Sequence, residues 1–163
     1  MTILISQAMS PKQITSFDEL KQYEGIQIGV SDYLKITQQM INQFAEATLD
    51  FQWIHTDPER AAIESPFKST IAHGYLTVAV LPYLWSQIAY VSNVKLMVNY
   101  GIEKLRFGEP VKVNDEVRAA VHVLSVVNLR GITKSQMRIT LEIRNSKKPA
   151  YTGDIVFLYH FND

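Results

Sequence analysis

The sequence predicts an α+β fold in which an antiparallel sheet wraps around a long apolar helix. From Gly74 to Tyr90 the residues are nearly all apolar, which is typical of a helix buried in a protein core. After residue 95 the hydrophobic residues recur at every second position, which is the period of a β-strand. No repeat and no Gly/Ser/Pro-rich linker divides the 163 residues, so we expect one domain.

A short amphipathic helix is predicted ahead of the long one. Thr37 is a favourable N-cap, and the side chains that follow at helical spacing are Met40, Ile41, Phe44, Ala45 and Thr48. The pattern ends near Leu49. Asp50 is therefore expected just past the end of this helix.

A second short helix is predicted a few residues later. Asp57, Pro58 and Glu59 supply in series an N-cap, a proline at the first helical position and an acidic residue in the first turn. The helix is expected to run from Pro58 to about Glu64. His55 then lies in the loop between the two short helices, where the backbone can aim its side chain.

The long helix carries Pro82 in its interior. Proline lacks a backbone N–H and crowds the carbonyl of Val78, so we expect a kink at this point. The strands that follow are predicted to form an antiparallel meander with turns at 128–131 and 145–149. The inward residues are expected to be Val117, Ala119, Val121 and Val123, then Met137, Ile139, Leu141 and Ile143, then Ile155, Phe157, Tyr159 and Phe161.

The last strand has apolar residues on both of its faces, because Val156 and Leu158 alternate with the inward set. Each apolar face of a sheet needs a cover, and the long helix can cover only one of them. We expect a second copy of the chain to cover the other, which predicts a homodimer or a higher homo-oligomer.

Composition excludes several kinds of function. Lys plus Arg and Asp plus Glu number 16 each, so no surplus of charge favours nucleic acid or an anionic membrane as a partner. The absence of cysteine excludes disulfides and thiolate metal sites, and no pattern of a metal site or nucleotide cofactor is present, so neither is expected. Met1–Ser6 is too short for a signal sequence, and no apolar run reaches about 20 residues, so we expect a cytoplasmic protein.

Asp50 and His55 form a candidate acid/base pair. A carboxylate with an ordinary pKa of about 3.9 is ionised at pH 7, and a histidine with a pKa of about 6.5 can take up or release a proton, so the pair can hold one water molecule. The sequence leaves open which residue moves which proton. Gly74 begins the long helix, where a free backbone N–H can stabilise a negatively charged oxygen.

The residues around this pair resemble the MaoC-like dehydratases, and most closely the branch typified by the nodulation protein N. The resemblance is carried by Asp50, His55, Ile71-Ala72-His73-Gly74, Asn99-Tyr100-Gly101, Arg106-Phe107 and Pro110-Val111. It covers about residues 23–160, so that 1–22 is an N-terminal extension of a single domain spanning 1–163. It implies the hot dog fold, paired subunits and an (R)-specific enoyl-CoA hydratase of fatty acid metabolism, which adds water to a trans-2-enoyl-CoA thioester.

The resemblance places Asp50, His55 and Gly74 in catalysis. The candidate substrate contacts are His73, Tyr75, Thr77, Asn99, Lys104 and Arg106. Lys104 and Arg106 are the candidate partners of the coenzyme A phosphates, and His73 is expected mainly to hold its turn by hydrogen bonds. Four positions depart from the family pattern, where glycine, asparagine, proline and serine are usual: Leu49, Gln52, Trp53 and Pro82.

Two other functions compete with hydration. An acyl-CoA thioesterase of the same fold would also use an acidic residue and a helix N-terminus, although the Asp-x4-His spacing with Ile-Ala-His-Gly favours hydration. A non-catalytic acyl-binding or structural subunit is the third possibility, and the departures at Leu49, Trp53 and Pro82 favour it.

Overall fold

The computed structural model describes residues 10–162, so the expectation for Met1–Ser6 lies outside the described residues. The fold is α+β, as predicted. The elements are, in order, β1 (Lys12–Ile14), α1 (Phe17–Lys21), β2 (Gln27–Val30), β3 (Leu34–Lys35), α2 (Gln38–Thr48), α3 (Trp53–Thr56), α4 (Pro58–Glu64), α5 (Gly74–Ala79), α6 (Leu81–Ile88), β4 (Ala89–Val91), β5 (Val94–Phe107), β6 (Glu116–Leu129), β7 (Ile132–Ile143) and β8 (Tyr151–Phe161). No helix within this range is both long and apolar enough to cross a membrane.

The main sheet is antiparallel, with the strand order β2-β6-β7-β8-β5, and the two-residue strand β3 also pairs with β6. The predicted meander is confirmed in β6, β7 and β8, which pair in sequence along nearly their whole length. The predicted inward residues of these strands, among them Val121, Ile139 and Phe157, are at most 6% exposed, except Phe161, which is partly buried. They form one buried cluster with Leu84, Trp85 and Ile88 of α6, so α6 is the helix around which the sheet is wrapped.

The apolar segment after Gly74 differs from the predicted single kinked helix. It forms two helices, α5 and α6, and the break lies at Val80, two residues before Pro82. A proline is tolerated in the first turn of a helix because a backbone N–H there would have no intrahelical acceptor. Pro82 therefore lies in the first turn of α6. The N–H of Leu84 still donates to the carbonyl of Val80 (3.2 Å), which keeps the two helices close to one rod.

The N-terminal residues of the described range pack into the same core. β1 pairs in parallel with β4, which follows α6 directly, whereas the sequence predicted that the helix would continue to Tyr90. Ile14 of β1 and Leu20 of α1 are both fully buried. Residues 12–21 therefore contribute to the core.

The outer face of β8 is already partly covered within one chain. Val156, on which the expectation of a second subunit depended, is only 2% exposed. Large apolar side chains are instead exposed on β5, which pairs with β8 alone and is an edge of the sheet: Leu96, Met97, Tyr100 and Ile102. The exposed apolar surface thus lies one strand further out than the sequence indicated.

Candidate active site

Asp50 follows the C-terminal end of α2, as predicted. Thr37 caps the start of this helix by accepting a hydrogen bond from the N–H of Met40 (3.2 Å), and the helix ends at Thr48. The Asp50 side chain is 56% exposed, and its Oδ1 accepts one long bond from the N–H of Gln52 (3.4 Å). The carboxylate is therefore open to solvent and to a ligand.

Leu49 turns the chain from α2 towards Asp50 by adopting a left-handed backbone conformation, with φ 61° and ψ 23°. This is the conformation that glycine favours after a helix. The departure from the family's glycine therefore keeps the turn. A non-glycine residue in this region costs roughly 1–2 kcal/mol, and the Leu49 side chain, 79% exposed, recovers little of that by packing.

Replacing Leu49 with glycine is accordingly expected to stabilise the protein. The gain should be about 0.5–1 kcal/mol once the larger backbone entropy of unfolded glycine is subtracted, or about 1–4 °C in melting temperature. Leu49→Ala is the matched control, because alanine removes the same exposed side chain and keeps the strain. A glycine variant that melts below the alanine variant would show that the left-handed conformation is not strained here.

His55 lies in the one-turn helix α3 and not in a loop, which corrects the prediction. The turn closes through a bond from the N–H of Asp57 to the carbonyl of Trp53 (3.0 Å), and Asp57 also caps α4 as predicted, by accepting from the N–H of Arg60. The sequence missed α3 because Gln52, its N-cap, makes no side-chain capping bond. Asp57 therefore ends one helix and begins the next.

The His55 ring is 8% exposed, and its Nδ1 lies 2.7 Å from the carbonyl oxygen of Ile71. A carbonyl only accepts, so Nδ1 carries the hydrogen and Nε2 keeps its lone pair in the neutral ring. Burial lowers the pKa of His55 below its ordinary value; the bond to Ile71 opposes this, His73 adds to the lowering, and the Asp50 charge also opposes it. His55 is thus a neutral base with a defined tautomer.

Gln38 anchors the backbone of His55, a role that the sequence did not indicate. Its Nε2 donates to the His55 carbonyl (2.8 Å), and its Oε1 accepts from the hydroxyl of Thr70 (2.5 Å). The side chain therefore links the start of α2 to both segments that bear the candidate histidines. A glutamine at the first position of a helix is common, so no signal in the sequence set it apart.

His73 lies at the N-cap of α5 and is 3% exposed. Its ring stacks on His55, with 3.8 Å between the centroids and 28° between the planes. Its Nε2 lies 3.0 Å from the backbone carbonyl of Asp50 and 4.0 Å from the carboxylate. The ring thus makes one hydrogen bond within the fold, through Nε2, and this bond joins α5 to the Asp50 turn.

These contacts bring Asp50 and His55 together, although two residues five positions apart would not lie on the same face of a helix. One carboxylate oxygen of Asp50 and one ring nitrogen from each of His55 and His73 lie within 4.8 Å of one another. Such a set has the composition of a metal site, but one nitrogen of each ring is already bonded to a carbonyl oxygen, His55 Nδ1 to Ile71 and His73 Nε2 to Asp50. A single water molecule between Asp50 and His55 fits the spacing better.

Gly74 is the first residue of α5, where its N–H has no intrahelical acceptor. A Cβ at Gly74 would lie 3.0 Å from the Phe107 ring, and both residues line a cavity of about 170 Å³. The Thr77 hydroxyl, which also lines it, donates to the Gly74 carbonyl (2.6 Å). Tyr75 is 71% exposed and meets Phe107 edge to face.

The remaining candidate contacts lie on β5. Asn99 borders a larger apolar cavity of about 410 Å³, together with Pro82 and Phe157. Lys104 is 75% exposed, and its Nζ is 4.0 Å from the buried carboxylate of Asp154. Its charge is therefore partly compensated. Arg106, two residues on, is exposed.

Comparisons with known proteins identify the family of the chain. A family model described as a MaoC like domain matches residues 21–145. The 3-hydroxyacyl-thioester dehydratase Z of Mycobacterium tuberculosis is 44% identical over 145 residues, which cover 88% of this chain and 95% of that protein. Nodulation protein N of Rhizobium meliloti is 39% identical over 150 residues, covering 90% and 92%.

Solved structures are also similar. The unliganded R-hydratase of Pseudomonas aeruginosa has a TM-score of 0.69 at 21% identity and covers 91% of this chain and 88% of its own. The (R)-hydratase from A. caviae has a TM-score of 0.58 at 27% identity, covering 79% and 95%. These likenesses confirm the hot dog fold that the resemblance implied.

Proposed function

Because the chain belongs to the MaoC-like dehydratase family, we propose that it catalyses the reversible, (R)-specific addition of water to trans-2-enoyl-CoA thioesters. The observation that carries the proposal is that side-chain atoms of Asp50, His55 and His73 lie within 4.8 Å of one another. Gly74, whose N–H has no intrahelical acceptor, follows His73 directly in the sequence. An acid, a base and an oxyanion donor are the groups that hydration of a conjugated thioester requires.

The geometry supports a single-water mechanism. His55 Nε2 accepts a proton from a water molecule held against Asp50, while the water oxygen bonds to C3 of the enoyl group. The electrons of the double bond move towards the thioester oxygen, and the Gly74 N–H stabilises the negative charge there. The Asp50–His55 pair returns a proton to C2, so water is added and the protein ends in its starting state.

The two cavities suggest where the substrate lies. The smaller one, beside Gly74 and Phe107, accommodates the reacting thioester. The larger one is lined mainly by apolar side chains, including Val78, Leu81 and Ile102, and suits the acyl chain. Lys104 and Arg106 are the proposed partners of the coenzyme A phosphates, because both carry an exposed positive charge near the end of β5.

Crotonyl-CoA tests the function directly. Hydration removes the absorbance of the enoyl group without releasing free thiol, and this is the expected result. Release of free thiol would assign a thioesterase instead, and saturable binding with neither reaction would assign an acyl-binding subunit.

We also propose that the protein is a homodimer that covers β5. An unpaired edge strand with several exposed apolar side chains invites pairing with another chain. Light scattering should give twice the chain mass at micromolar concentration. Ile102→Lys, which places a charge on a side chain that is 53% exposed, should shift the mass towards the monomer.

The matched control is Ile63→Lys, because Ile63 is 75% exposed on α4, away from the edge strand. This variant should keep the dimer mass. A monomeric parent protein, or equal effects of the two lysines, would contradict an interface at β5.

A further inference from the structure

The sequence left His73 with a mainly structural role, but its contacts link it directly to both members of the acid/base pair. The ring is 3% exposed, and its Nε2 lies 3.0 Å from the Asp50 carbonyl. Since a carbonyl only accepts, Nε2 carries the hydrogen. The other nitrogen, Nδ1, is buried and has no hydrogen-bond partner.

The bond from Nε2 holds the backbone of Asp50, whose carboxylate lies 4.0 Å from Nε2 and is 56% exposed. That carboxylate accepts only one long bond, from the N–H of Gln52 (3.4 Å). The backbone bond to His73 therefore helps to hold Asp50 beside His55.

The His73 ring also stacks on His55, with 3.8 Å between the centroids, and so covers one face of the base. The other neighbours described around the rings are uncharged: the Phe44 ring of α2, 5.1 Å from His73, the Ile71 carbonyl and the Gln38 side chain. Asp50 is the charged group that faces the pair within residues 10–162.

We propose that His73 is a positioning residue, with its Nε2–H holding the Asp50 backbone and its ring covering one face of His55. It thereby sets the distance between the Asp50 carboxylate and the His55 base and keeps water from that face of the base. The inference deepens the proposed hydratase function, because it concerns the same acid/base pair.

Two substitutions separate the bond from the stack. His73→Phe keeps a flat apolar cover on His55 but loses the N–H that holds Asp50, so kcat should fall about 10- to 100-fold through misplacement of the carboxylate, with KM nearly unchanged. His73→Gln keeps a donor and removes the ring, so it should retain more of kcat. His122→Gln removes a histidine from β6 and is the matched control, expected to behave as the parent.

The pH profile distinguishes positioning from mere stabilisation. Activity on the acid side requires neutral His55, so kcat/KM rises as its proton is lost. Burial lowers the pKa of His55, and in His73→Gln water reaches the uncovered ring, so the pKa rises and the acid limb should move up by about one pH unit. In His73→Phe the limb should stay in place. Variants that melt early but keep the parent kcat and limb per folded molecule would overturn the proposal.

The unaltered protein supplies a test that needs neither a variant nor turnover. Nitrogen NMR of the histidine rings should show that His73 carries its hydrogen on Nε2, the nitrogen that faces the Asp50 carbonyl. A His73 that carries its hydrogen on Nδ1 instead could not donate to Asp50 and would overturn the inference. Because no substrate is present, this result is independent of crotonyl-CoA turnover, whose absence would count against the hydratase function alone.

Discussion

Asp50→Asn is expected to lower kcat for crotonyl-CoA hydration by about two to four orders of magnitude, because an amide cannot exchange the proton that a carboxylate can. His55→Gln should cause a loss of the same size. Glutamine has no titratable nitrogen, but it retains a polar end near Ile71, so the His55→Gln variant should fold. The Asp50→Asn variant should also fold, since Asp50 makes only one long side-chain bond and is 56% exposed. Steady-state kinetics with thermal melting measures both effects.

Asp57→Asn is the matched control for the first change. Asp57 is an aspartate in the same segment, and it caps α4 through a bond to the N–H of Arg60 (2.9 Å). Asparagine caps a helix about as well as aspartate, so kcat and melting temperature should both stay near those of the parent. If Asp50→Asn retains parental turnover while the control behaves as expected, Asp50 has no part in proton transfer.

Gly74→Val is expected to reduce kcat by about 100- to 1000-fold, the usual loss when an oxyanion donor is removed. The branched side chain would stand beside the N–H that is proposed to bind the thioester oxygen. It would also meet the Phe107 ring, which lies 3.0 Å from the position of the new Cβ. A second explanation of any loss is therefore displacement of Phe107, with a stability cost of about 1–3 kcal/mol from overpacking.

Gly74→Val combined with Phe107→Ala separates these two causes. Truncation of Phe107 makes room for the valine, so a loss caused by crowding should be restored, both in melting temperature and in kcat. A loss caused by obstruction of the oxyanion site should persist in the double variant. Full recovery of kcat relative to Phe107→Ala alone would make Gly74 a packing residue and place the oxyanion donor elsewhere.

Local signals in the sequence were enough to predict α2 and α4, although α1, which the side chain of Ser16 also caps, was not predicted. Thr37 and Asp57 each cap a helix by a side-chain bond within three residues, and the strand meander follows from strict alternation. The break at Val80 was displaced from the prediction, because proline interrupts a helix but is also favourable in the first turn of the next one. Helix α3 carries no capping side chain and so left no pattern to read.

The sequence proposed several members of the candidate site but not its arrangement, and it did not indicate Gln38. The resemblance supplied Asp50, His55 and Gly74, and the structure places the first two within reach of one water molecule. The stacking of His55 on His73 depends on residues 70–72, which are held in place from both sides. The N–H of Ile71 donates to the carbonyl of Ile54, and the N–H of Ala72 donates to that of Val111. Such contacts between distant segments leave no local pattern.

The parallel pairing of β1 with β4 joins the two ends of the segment that carries Asp50, His55 and Gly74. Three residue pairs make this closure, beginning with Lys12 and Ala89, whereas β6, β7 and β8 are joined by long ladders. Parts of a protein held by few backbone bonds open at a lower free energy than its long-laddered sheet. We therefore expect the backbone amides of α2, α3 and α4, which hold the acid/base pair, to exchange their hydrogens with solvent sooner than those of β6, β7 and β8.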